Sequence, residues 1–176
     1  MYQKGDFVTY GCKGVCQIRD ITTLRMDGIP KDRLYYEMQL VRDPGSKIFT
    51  PVEHEASKGM MRPVLSEDEA ISLLDRLLDL DEEWIRDDRE REAHYRDVIN
   101  RSDAEGMLSI IRCLHLRRRE RLMIGRKLTA MDSKYLRMAE DNLYTEFSLA
   151  LQIPVSEVQE QVSDRLDRFF GTVKSL

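Results

Sequence analysis

Met61-Arg62-Pro63-Val64-Leu65-Ser66-Glu67-Asp68-Glu69-Ala70-Ile71 is the stretch at which the chain changes its periodicity. Ser66-Glu67-Asp68-Glu69 has the form of a capping box, in which the Ser66 hydroxyl takes an amide of the first helical turn and Glu69 reaches back. Ala70, Ile71, Leu73, Leu74, Leu77 and Leu78 follow at helical spacing and make one apolar stripe. Upstream of Pro63 the apolar residues alternate instead. The reading is therefore α+β with segregated domains, β before the seam near residue 66 and α after it.

Working back from the seam, Asp6-Phe7-Val8-Thr9-Tyr10 alternates, Gly11 and Gly14 punctuate a turn, and Val15 to Ile21 alternates again. Asp27-Gly28 is a hairpin signal. Arg33 to Val41 is a third strand, and Pro44-Gly45 turns the chain into Lys47-Ile48-Phe49-Thr50, which ends at Pro51. With Met61–Val64 as a closing piece, five short strands predict a small SH3/Tudor-like β-barrel over residues 1–65.

Working forward, residues 66–176 read as all-α. A helix is expected from about Trp84 to Asn100. Ser102-Asp103-Ala104-Glu105 reads as a second capping box, with Ser102 as the cap. Gly125 is a helix stop, Thr129-x-x-Asp132 a helix start, and Pro154 a break before a last amphipathic helix carrying Val158, Val162, Leu166 and Phe169.

Composition excludes several functions. Hydrophobic residues make up 41 % and charged residues 34 %, which suits folded domains rather than disorder. The net charge of −4 argues against a general nucleic-acid coat protein, although Arg86 to Lys127 holds twelve Lys or Arg against eight Asp or Glu. Three cysteines without framework spacing, no signal peptide and no long apolar run point to a reduced, cytoplasmic setting and no membrane. Gly125-Arg126-Lys127 lacks the earlier glycine and the following hydroxyl of a phosphate loop, and no nucleophile elbow or metal-ligand spacing is present. The expectation is a non-enzyme without metal, cofactor or small-molecule substrate.

The motifs, in their order, resemble the CarD/CdnL family of bacterial transcription regulators. The resemblance is carried by Lys4-Gly5-Asp6-Phe7-Val8-Thr9-Tyr10, Gly14-Val15, Ile18-x-x-Ile21, Tyr35-Tyr36, Thr50-Pro51-Val52 and the Met61–Ser66 crossing. In the helical part it is carried by the lone Trp84, the Asn-Arg-Ser-Asp turn, Arg112-x-Leu114 with Arg117-Arg118-Arg119, and Leu143-x-x-Glu146. The barrel is also similar to the polymerase-interacting module of the transcription-repair coupling factor. Where family members commonly have Ser-Gly-Asp at the second-domain turn, this chain has Arg101-Ser102-Asp103, and Trp84 lies about one helical turn further upstream of it.

The resemblance implies two surfaces. The barrel would meet the RNA polymerase β subunit through the strand around Thr23, Leu24, Arg25 and Met26, with help from Lys47 and Phe49. An exposed strand edge suits that role, and the planar Arg25 fork suits a partner carboxylate; Phe49 also fits the core. The helical domain would reach promoter DNA with Trp84 as a minor-groove wedge, modulating open-complex stability; beside it Arg86, Arg89 and Arg96 read either as phosphate contacts or as exposed helix charges paired with Asp87, Glu90, Glu92 or Asp97. As a helical residue Trp84 would share a face with Tyr95 and Val98, so a core position remains open. Two other readings stand beside this one: a polymerase-binding adaptor that never touches DNA, and a Tudor-like peptide- or RNA-binding module.

Overall fold

The computed structural model describes residues 1–25, 27, 28, 30, 32–53, 59–80 and 84–173, apart from the side chains of residues 170, 172 and 173. It divides into two compact units, Met1–Val64 with Asn100–Ser102, and Leu65–Ile99 with Asp103–Leu176.

The first unit is an antiparallel sheet of β1 (Phe7–Tyr10), β2 (Gly14–Thr23), β3 (Leu34–Leu40), β4 (Lys47–Pro51) and β5 (Met61–Pro63), in the order β4-β3-β2-β1-β5. Alternation places Val8, Cys16, Ile18, Tyr36 and Met38 in a buried core. The sheet coils on itself as a barrel does. The Tyr10 hydroxyl on β1 donates to Thr50 Oγ1 on β4 at 3.3 Å, although two strands separate them in the ladder. The Tyr2 amide likewise donates to the Tyr36 hydroxyl at 3.0 Å. A bulge at Arg19, between the paired Ile18 and Asp20, sharpens the twist of β2.

The second unit comprises α1 (Glu67–Asp75), α2 (Asp88–Asn100, all but its last residue), α3 (Ala104–Met123), α4 (Ala130–Leu151) and α5 (Val155–Val173). Its core gathers Leu74 and Leu77 with Ile99, Leu108, Ile111 and Leu114, and with Leu143, Phe147, Val158 and Val162. Both halves of the Ser66 capping box form. Thr129 caps α4 by accepting from the Asp132 amide, and α3 stops before Gly125, whose φ of +71° closes the turn. Glu146, fully buried in α4, accepts the Leu65 amide at 2.9 Å and so holds the chain where it enters this unit.

Two expected helix starts are corrected. The second helix begins at Asp88, not near Trp84, because Asp87 accepts the amides of Arg89 and Glu90, both at 2.9 Å, and thereby caps it. Helix α3 is capped by Asp103, which accepts the Gly106 amide, and not by Ser102. Ser102 has left-handed backbone, φ +54°, and its hydroxyl donates to the Met60 carbonyl at 3.2 Å. That residue stands where the family resemblance leads one to expect glycine.

Candidate partner-binding surfaces

Strand β2 is ten residues long and β1 only four. Ladder pairing with β1 therefore ends at Gln17, while pairing with β3 continues to Thr23↔Leu34. Beyond Ile18, whose amide and carbonyl are met by Asp6 and Gly5, the other edge of β2 carries no ladder partner among the described residues. Thr23 closes the strand, exposed; Leu24 follows half-buried and Arg25 is exposed. Met26 lies outside the described residues.

Lys47 and Phe49 are on the outer face of the same sheet. Register puts Phe49 opposite Glu37, which in turn lies opposite Asp20 on the far side of β3; Phe49 is 41 % exposed. Of the two places open to Phe49, the core is excluded, because alternation from the buried Thr50 turns its neighbour outward. Lys47 Nζ sits 2.6 Å from Glu37 Oε1. Three residues of β3, about 10 Å, separate the row of Thr23 from the row of Phe49.

Trp84 is in the second unit, in a segment without helix or strand ahead of α2, half-buried against the helical core. It therefore shares no helical face with Tyr95 and Val98. Two guanidiniums lie over the indole, Arg91 at 4.5 Å and Arg117 at 4.9 Å from the ring centroid. Such stacking contributes about 0.5–1 kcal/mol when exposed and about 2 when desolvated. The Arg91 side chain is 3 % exposed, so its contact with the ring is the stronger one.

Arg91 does more than stack. Nε donates to Asp132 Oδ1 at 2.9 Å and Nη2 to Asp132 Oδ2 at 3.3 Å, and the Asp132 side chain is as buried as its partner. Nη2 also donates to Asp88 at 2.8 Å, and Nη1 to the carbonyls of Ile85 at 3.0 Å and Arg86 at 3.4 Å. The guanidinium thus fixes the backbone that presents Trp84 and Arg86. Burial works against its charge, but the hydrogen bonds it donates to Asp132 and Asp88 outweigh that and hold its pKa above the ordinary value.

Arg86, Arg89 and Arg96 are exposed, the last two on one side of α2 at seven-residue spacing. Arg96 lies 3.8 Å from Glu92. The fold brings Trp84 and Arg86 together through Arg91, while Arg89 and Arg96 stand on the helix that follows. Arg91, Asp132 and the Arg117 stack were not anticipated. A signal existed for one of them: Arg91, Tyr95, Val98 and Ile99 follow a buried stripe, and an arginine at a core position demands a partner.

Among the described residues, no cluster of His, Cys, Asp or Glu side chains is arranged to hold a metal ion, and no helix is long and apolar enough to cross a membrane. Comparison with curated proteins gives no match. Residues 2–65 match the family model described as CarD-like/TRCF RID domain. That span takes in all five strands and stops one residue short of the Ser66 cap. Residues 2–65, a little over a third of the chain, are therefore similar to the CarD-like/TRCF RNA polymerase-interacting domain family.

Proposed function

We propose that this protein is a transcription regulator that docks on the RNA polymerase β subunit through its barrel and contacts promoter DNA through its helical unit, prolonging or shortening the life of the open complex. The observation that carries the docking half is the edge at the end of β2 that has no ladder partner among the described residues, in a domain whose family binds polymerase. An extended segment of a partner can add to that edge through backbone hydrogen bonds, with Leu24 supplying apolar contact and Arg25 gripping a carboxylate. Lys47 and Phe49 extend the surface on the outer face of the sheet. The DNA half is supported by Trp84 under two guanidiniums, Arg91 and Arg117, with exposed Arg86 two residues on, in a segment whose Ile85 and Arg86 carbonyls are held by Arg91. Arg86, Arg89 and Arg96 serve phosphates, and the indole serves as the apolar wedge.

The two halves separate experimentally. Arg25→Glu is expected to weaken capture of purified polymerase about tenfold or more, with a stability change under about 0.5 kcal/mol. Unchanged capture by the folded variant removes this surface from the mechanism. Trp84→Ala is expected to leave capture intact and to alter the dissociation rate of promoter open complexes.

A second reading is a polymerase-bound adaptor that recruits protein and not DNA. The net charge of −4 and the half-burial of Trp84 between two arginines favour it. Open-complex kinetics that ignore Trp84→Ala, Arg86→Ala and Arg89→Ala alike would decide for the adaptor.

A further inference from the structure

We infer that the groove between the end of α3 and the first half of α4 is a docking site for an acidic amphipathic helix of a partner protein. Three consecutive large apolar residues, Leu122, Met123 and Ile124, are 59 %, 74 % and 67 % exposed at the end of α3. Of the three, Leu122 faces the groove, where it joins other apolar side chains, and grouped exposed apolar surface marks an interaction site more often than scattered single residues do. Leu122 continues into a cavity of about 470 Å³, floored by Leu128 and Leu136 and rimmed by Arg118, Lys127 and Arg137. That volume is in the range of about 300–1,000 Å³ typical of ligand clefts.

Charge chooses the occupant. From Arg117 to Lys127 the chain has six Arg or Lys and one Glu, against a net charge of −4 for the whole. Glu140, the carboxylate in the wall, is engaged by His115 Nε2 at 2.7 Å. Arg126 and Lys127 make no ion pair among the described residues, so both remain available to an incoming carboxylate. The apolar floor then separates two anionic partners. A phosphate backbone would satisfy the rim and leave Leu122 and the apolar floor without a partner. A helix with glutamates on its flanks and leucines on one face satisfies both.

The test uses the full chain and fluorescence anisotropy. The probe is a labelled helical peptide of about 16 residues, with leucines at i, i+3, i+4 and i+7 and glutamates between. Binding is expected with a Kd of roughly 10–100 µM, weakening with salt. Leu122→Ser and Lys127→Glu, both at exposed positions, are each expected to weaken it about tenfold. Arg25→Glu is expected to leave it unchanged, so the groove stands or falls apart from the polymerase surface. Absence of binding up to about 1 mM peptide overturns the inference, as does equal affinity for a peptide with glutamine in place of glutamate. Two further outcomes replace it: displacement of the peptide by duplex DNA whose own affinity drops with Lys127→Glu makes the groove a phosphate surface. Self-association abolished by Leu122→Ser makes it an interface between copies of this chain.

Discussion

Arg91 is the residue on which the helical unit's charge balance turns. Its partner Asp132 is buried with it, so removing Arg91 leaves Asp132 as an uncompensated buried charge, whereas Arg91 without Asp132 would keep only the exposed Asp88. Arg91→Ala is expected to destabilise by about 3–5 kcal/mol in thermal or urea melts. The double variant Arg91→Met with Asp132→Leu is expected to regain most of that loss, since apolar replacement of both partners is often neutral. A double variant no better than the single one would show that the clamps on the Ile85 and Arg86 carbonyls matter more than the ion pair. Cys16 supplies a second test. Burial in the barrel pushes its thiol from 9.0 up to about 12. A thiol with a raised pKa stabilises the fold fully below pH 9.0, and that contribution fades as pH climbs toward about 12. At pH 8, therefore, an alkylating reagent is expected to label exposed Cys12 rapidly and Cys16 only after unfolding. Equal labelling of both in the native protein would contradict this burial.

At the scale of single elements, local hydrogen bonding decides what could be read from sequence. Ser66, Thr129 and Gly125 act within four residues of themselves, so their caps and stop were legible in the order of residues alone. The start of α2 was legible too, in Asp87-Asp88-Arg89-Glu90, but the apolar Trp84 and Ile85 drew the boundary upstream. The Arg91–Asp132 pair spans 41 residues and left no local trace beyond an arginine on an apolar stripe. Phe49 faced outward against aromatic preference because register with Glu37, not residue type, sets the face of a strand. Gly106 gives a prediction at this scale. A Cβ there would lie 2.7 Å from Asp103 Oδ2 and 2.8 Å from Val98 Cγ1. Alanine raises helix propensity by about 1 kcal/mol, but the crowding displaces both the cap of α3 and a core valine. Gly106→Ala is expected to destabilise by about 1–3 kcal/mol net. A raised melting temperature would show that α2 and α3 yield more easily than these distances indicate.

For the molecule as a whole, the net charge of −4 sets what the free protein does with nucleic acid. Isolated duplex is expected to bind weakly, in the range of about 1–100 µM, without sequence preference and with strong salt dependence. Arg89→Ala is expected to reduce the slope of log affinity against log salt by about one. Tight, salt-resistant binding would mean that something other than these arginines meets DNA. On the proposed reading, polymerase would supply the missing affinity by holding the helical unit beside the promoter at high effective concentration. The stacking of Trp84 has one more consequence, an optical one. The chain has a single tryptophan, and it stands in the helical unit between two guanidiniums. Its emission is a built-in gauge of that unit alone, silent about the barrel, where the near-ultraviolet chromophores are tyrosines and phenylalanines. Melting followed by tryptophan emission reports the helical unit, and melting followed by far-ultraviolet dichroism reports both. Coincident curves would mean that barrel and helices unfold as one, and separated curves that each unit has a melting point of its own.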